Sequence, residues 1–165
     1  MGLAPENDPF LQSVSQVFCG IPLPGDAAFA VIVEFYERSK PEVLASMPWV
    51  AAELCEHEGL ETMLGFIEKN GGRRLYIAKD FKAFNKKISV VIKETTHERL
   101  RHFARDHSLI DIPSLWGIFL ALRRVAIRHF IRKGANPGRI SKDFGVTDRY
   151  IRKESKLIND GDVCN

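Results

Sequence analysis

The chain has 165 residues, 45% of them hydrophobic and 27% charged, enough for one compact domain or two small ones with a real core. No apolar run approaches the roughly 20 residues of a membrane span, and the apolar stretch 27–33 has neither the basic flank nor the cleavage pattern of a signal peptide. Cys19, Cys55 and Cys164 are an odd number without metal-ligand spacing, so they read as reduced thiols, and a cytosolic protein is the expectation.

The net charge of +3 conceals an asymmetry. Residues 1–68 carry 2 Lys/Arg against 11 Asp/Glu, residues 69–112 carry 11 against 5, and residues 113–158 carry 11 against 3. An acidic front half and a basic rear half is the layout of a nucleic-acid binder with a separate contact or dimerisation region.

Residues 1–9 are rich in turn formers, and Phe10–Phe18 has a helical apolar spacing that stops at Cys19-Gly20. After the Pro22–Gly25 loop, Asp26 is expected to cap a helix to about Arg38, with Phe29, Ile32, Val33 and Tyr36 on one stripe; its Val-Ile-Val core also suits a strand. Pro41 opens a helix ending before Pro48. Trp49–His57 and Gly59–Lys69 read as two further helices, and Asn70-Gly71-Gly72 stops the second. Arg73–Ala78 reads as a strand. Phe81–Glu94 reads as a basic helix with Phe81, Phe84, Ile88, Val91 and Ile92 inward, followed by a helix from His97 to about His107. Leu109–Pro113 is a short extended segment. Ser114 then caps a long helix to Lys133 whose inward stripe includes Ile118, Phe119, Leu122, Val125 and Phe130. A helix-then-strand pattern (61–69 with 75–78) recurs weakly at 98–106 with 109–113. Chance similarity of two amphipathic segments is the simpler account of it, while a repeat would let one chain mimic a dimer.

The most informative stretch is 139–153. Ile140 and Ser141 suit a short first helix closed by Phe144. Gly145 supplies a left-handed turn and Val146 buries beneath it. Thr147 or Asp148 caps a short second helix that packs through Ile151. This is a helix-turn-helix pattern, and its second helix exposes Asp148, Arg149, Arg152 and Lys153. Glu154 stands where a further apolar residue is expected. Arg149 and Arg152 are the candidates for base edges, since arginine bonds guanine O6 and N7 together. Asp148 suits either a cytosine amino group or the helix N-terminus. Thr147, Tyr150, Lys153, Lys156, Arg139, Ser141 and Lys142 are candidates for phosphate contact. Arg124, Arg128 and Arg132 recur every four residues as a basic ridge, and Arg73 and Arg74 suit either an arm on DNA or an exposed turn.

Residues 60–158 resemble the Mor family, the middle-operon transcription activators of Mu-like phages and related mobile elements. Gly71-Gly72-Arg73-Arg74-Leu75-Tyr76-Ile77-Ala78 is similar to that family's glycine pair and strand, with Ala78 where proline is usual, and 138–153 resembles its helix-turn-helix. The connection between the two is longer than the family's, so the counterpart of the family strand is either 75–78 or 109–113. The resemblance implies a homodimer that binds an inverted-repeat promoter in double-stranded DNA and recruits RNA polymerase. It leaves activation and repression both open.

An enzyme is not expected: no phosphate-cradling glycine loop, zinc-finger spacing or nucleophile motif is present, and no cofactor is implied. Cys55, Glu56, His57 and Glu58 are adjacent and diverge around a helix, and His97, His102 and His107 scatter likewise, so no metal site is expected. The expected fold is mainly α: a helical bundle with one or two short β-strands and a C-terminal helix-turn-helix. Its regions are an acidic segment 1–58, a dimerisation-like segment 59–112, a DNA-binding domain 113–158 and a tail 159–165. The competing expectation is a protein-interaction or inhibitor protein in which the helix-turn-helix is only scaffold.

Overall fold

Prolines, glycines and short polar caps set where several of the helices begin or stop. The computed structural model describes residues 22–162, so the helix expected over Phe10–Phe18 lies outside the described residues. Helix α1 (Phe29–Arg38) includes the Val-Ile-Val stretch, which is helical and not a strand. Asp26 is not its cap. The Asp26 carboxylate accepts the Leu23 N–H at 2.8 Å, closing a turn, and α1 starts only at Phe29. Pro41 lies in the first turn of α2 (Lys40–Ser46), where its missing N–H has no helical partner to lose. Helices α3 (Trp49–Glu58) and α4 (Leu60–Asn70) meet at Gly59 and pack on one another.

Beyond α4 come β1 (Arg74–Tyr76) and α5 (Phe81–Ile88), the latter capped by the Asp80 carboxylate on the Ala83 N–H at 2.6 Å. The basic helix expected to reach Glu94 is shorter than its pattern. It stops at Ser89, which turns left-handed at φ 55° and returns its N–H to Asn85. Val91, expected inward, is 85% exposed, while Ile92 is buried. Helix α6 (Glu94–Phe103) starts earlier than expected and stops short of His107, and Thr96, in its first turn, gives its hydroxyl to Glu58. The short α7 (Arg105–Ser108) leads to β2 (Leu109–Asp111).

β1 and β2 pair antiparallel, with Arg74 opposite Asp111, Leu75 opposite Ile110 and Tyr76 opposite Leu109. The two segments offered as alternative counterparts of one strand are therefore the two strands of a single ribbon. Leu75 and Ile110 face the core, and Tyr76 and Leu109 face out. Three helices complete the chain: α8 (Leu115–Arg132), α9 (Pro137–Phe144) and α10 (Asp148–Asp162). The last continues past residue 158, so 159–162, expected as tail, is helical.

The architecture is mainly helical with a small two-stranded antiparallel sheet. Phe66, Met63 and Leu64 of α4 are fully buried with Leu54 of α3, Phe84 and Ile88 of α5, Leu100 of α6 and Ile118 and Leu122 of α8. Each such side chain contributes about 1.5–3 kcal/mol of transfer free energy. The same core continues through Val125, Ala126, Ile127 and Phe130 to Ile140, Phe144 and Ile151, which ties the C-terminal helices to the rest. Among the described residues no helix is long and apolar enough to cross a membrane.

Candidate nucleic-acid interface

The C-terminal helices form the arrangement expected from residues 139–153, except that the second helix, expected to be short, runs for 15 residues. Asn136 caps α9, its side-chain oxygen accepting the Arg139 N–H at 3.2 Å, and Pro137 opens the helix. Ile140 and Phe144 are buried, and the Phe144 ring meets Phe130 of α8 edge-on at 5.4 Å. Gly145 takes the left-handed conformation at φ 62°, which a glycine adopts without steric cost. Val146 sits half-buried against the core and returns its N–H to Ser141. The Thr147 hydroxyl oxygen accepts the Tyr150 N–H at 3.2 Å, so Thr147 caps α10. Asp148 stands in the first turn, where a negative charge favours the helix N-terminus. Ile151, Glu154 and Ile158 form the buried stripe of α10, and both α9 and α10 pack on α8.

This stripe leaves Arg149, Arg152, Lys153 and Lys156 exposed on the outer side of α10. Among the described residues none of the four is ion-paired; Arg152 makes only a long 3.4 Å bond to the Asp148 carbonyl of its own helix. Lys142 is exposed on α9, and Arg139 lies 3.4 Å from Asp143 in an i,i+4 pair. Ser141 is half-buried and gives its hydroxyl to the Gly138 carbonyl, and half-buried Tyr150 packs against the core.

The ridge on α8 differs from a wholly solvated face. Arg128 Nε donates to Glu154 at 2.7 Å, Arg124 stands 3.9 Å from the other Glu154 oxygen, and Arg132 pairs with Glu42 of α2 at 3.0 Å. Glu154 was unexpected at an apolar position, yet it is buried. Its partners Arg124 and Arg128 stand one turn apart on α8, a spacing that does not by itself say which carboxylate meets them. Arg73 and Arg74 are exposed beside the ribbon, with Arg73 held by the Asn70 side chain at 2.7 Å and Arg74 by Asp111 at 2.9 Å. That ion pair lowers the Asp111 carboxyl and raises the Arg74 guanidinium.

One cluster escaped the sequence reading. Glu53, Glu56 and His57, spaced for one helix face, bring ligand atoms within 4.8 Å of one another, while Cys55 is buried on another side and Glu58 turns to Lys93 and Thr96. Arg99 grips both Glu53 oxygens at 2.7 and 3.0 Å, and this bidentate bond holds the Glu53 carboxyl below its ordinary range. Of the trio, Glu53 joins α3 to α6 through its ion pair with Arg99. Of the three histidines, His97 is buried, with Nε2 2.8 Å from the Ala78 carbonyl and its ring between Phe81 and Phe84. His102 and His107 are exposed.

Compared with known proteins, the chain matches no protein family, no curated protein and no solved structure.

Proposed function

We propose that this chain is a sequence-specific DNA-binding transcription regulator that lays α10 in the major groove of double-stranded DNA. The observation that carries the reading is how the basic half sorts its charges. Arg128 and Arg132 of α8 are ion-paired within the molecule with Glu154 and Glu42, whereas among the described residues Arg149, Arg152, Lys153 and Lys156 project together with no ion pair. A helix exposed in this way, behind a capped turn, suits contact with base edges and flanking phosphates. A Mor-like activator that meets RNA polymerase is the form of this reading that the resemblance favours.

A protein-interaction reading would rest on different residues. Trp116 is 63% exposed and stacks on Phe119 at 5.0 Å, and Trp49 is 44% exposed against Phe103. Titration on random duplex DNA at several salt concentrations separates the two. Two neutralised phosphates, at Lys153 and Lys156, would give a log–log slope of about −1.8, because each contact releases roughly 0.9 counterion. A slope near zero would reject the DNA reading and leave the aromatic surfaces as the basis of function.

A further inference from the structure

The ribbon and its flanks carry an approximate internal two-fold. The Ile77 N–H donates to the Ser108 carbonyl at 2.8 Å, and the Ile112 N–H donates to the Arg73 carbonyl at 2.9 Å. Every antiparallel pair has such a local dyad, and here features of the flanks extend it. Each of those acceptors follows a left-handed residue, Gly72 at φ 73° and His107 at φ 72°. Each strand has one buried central residue, Leu75 or Ile110, between two exposed ones. Each also runs into a helix with a side-chain cap three residues back: Asp80 on the Ala83 N–H, and Ser114 on the Gly117 N–H. Beyond the caps the units diverge. α5 ends at Ser89 and the chain returns into α6, whereas α8 runs to Arg132 and delivers α9 and α10.

Resting on the DNA reading above, we propose that the chain is a pseudo-dimer within one polypeptide bearing a single reading head, so that its ligand is one asymmetric half-site and not an inverted repeat. β1 and β2 each take the other as partner within one chain. The outer edges that remain are three residues long and carry Arg74 and Asp111, and short charged edges resist strand addition. Paired heads impose a dyad on their operator, with half-sites about 34 Å apart. Only one of the two related units is followed by a helix-turn-helix among the described residues, so nothing in the pseudo-symmetry imposes a dyad on the DNA.

The test uses the full chain with Cys19→Ser and Cys164→Ser, adding Arg74→Cys and Asp111→Cys. These two positions face each other as a non-hydrogen-bonded pair, one residue inside the Ile112–Arg73 bond, and such pairs stand about 4.5 Å apart at Cα, within reach of a disulfide. Oxidation should give a disulfide within one chain, seen as a single-chain band without reductant whose two introduced thiols no longer take up an alkylating reagent. Fragments selected by the unmodified chain from random duplexes should lack a palindrome, and light scattering should find one chain per duplex. Chains linked to each other through these cysteines, or two chains on a palindrome, would overturn the inference while leaving DNA binding intact. A single-chain disulfide in a protein with no salt-dependent DNA binding would instead remove the DNA reading, and the half-site assignment with it.

Discussion

Glu154 of α10 accepts a 2.7 Å hydrogen bond from Arg128 Nε of α8, with only 5% of the glutamate side chain exposed. A buried carboxylate is tolerable only when paired, and here Arg124 adds its charge from 3.9 Å. The pair fixes how α10 sits on its supporting helix. Glu154→Gln should therefore lower stability to urea by about 1–3 kcal/mol, because it leaves part of the guanidinium unsatisfied. Combining Glu154→Leu with Arg128→Leu should recover most of that loss, as apolar replacement of a buried pair often does. Strictly additive single-mutant losses in the cycle would show that the pair is not coupled.

Gly71 and Gly72 make different demands. A Cβ on Gly71 would fall against the Ile67 carbonyl oxygen and 2.7 Å from the Pro113 carbonyl oxygen, both backbone atoms that cannot swing aside. Gly72 has open space but sits at φ 73°. Gly71→Ala should cost about 1–3 kcal/mol or more by overpacking, and Gly72→Ala about 1–2 kcal/mol by left-handed strain. Thermal unfolding of both variants tests the ranking, and an unchanged midpoint for Gly71→Ala would contradict the packing found there.

Ser89 ends α5 in the left-handed conformation, a position where glycine is usual. Its carbonyl accepts the Lys69 ammonium at 2.8 Å, and the neighbouring Ile88 carbonyl accepts Asn70 at 2.9 Å; both bonds survive loss of the side chain. Ser89→Gly should raise stability by about 0.5–1 kcal/mol, the left-handed penalty less glycine's extra chain entropy. A destabilised variant in denaturant titration would show that the serine side chain contributes more than the strain it bears.

That same residue marks where reading the sequence ran out. The apolar period of Phe81, Phe84, Ile88 and Val91 continues past Ser89, and no proline or glycine announces the stop; tertiary hydrogen bonds from Lys69 and Asn70 hold it. Where punctuation was explicit, at Ser114, Asn136-Pro137 and Gly145, the helices begin and end as their residues dictate. The ribbon lay between these cases. One strand and one short extended segment were legible there, but their pairing joins segments far apart in the chain, which no local pattern records. In the candidate interface, Arg149 and Arg152 were legible from helix periodicity, while the neutralisation of the α8 ridge depended on one buried glutamate from another helix and on Glu42.

The Glu53–Arg99 contact sets a pH dependence. The Glu53 carboxyl is held below its ordinary value by the hydrogen bond from Arg99, against the opposing effect of burial. A carboxyl lowered in the folded state contributes stability that is present above its unfolded value and lost as pH falls through the folded one. Glu53→Gln should therefore have a lower urea midpoint than the parent near neutral pH, and the gap should close in acid below the ordinary glutamate range. A gap that persisted unchanged in acid would assign the effect to packing and not to charge.

Arg149 and Arg152 should carry sequence discrimination, and Lys153 and Lys156 affinity without it. All four project from the face of α10 opposite Ile151 and Ile158, but they differ in chemistry and in place along the helix. Arginine offers two parallel donors that match guanine, while the lysine ammonium is a point charge better suited to phosphate. The arginines also lie closer to the capped N-terminus, the end of a reading helix that meets the bases. Replacing either arginine with alanine should cost about 1–3 kcal/mol on the selected site and less on random DNA, relaxing preference at one base position. Lys153→Ala and Lys156→Ala should weaken both kinds of DNA equally and reduce the salt slope by about 0.9 each. Competition binding at two salt concentrations gives both quantities for every variant. Equal losses on both DNAs for Arg149→Ala and Arg152→Ala would move the arginines to the phosphates and place base recognition on another part of the surface.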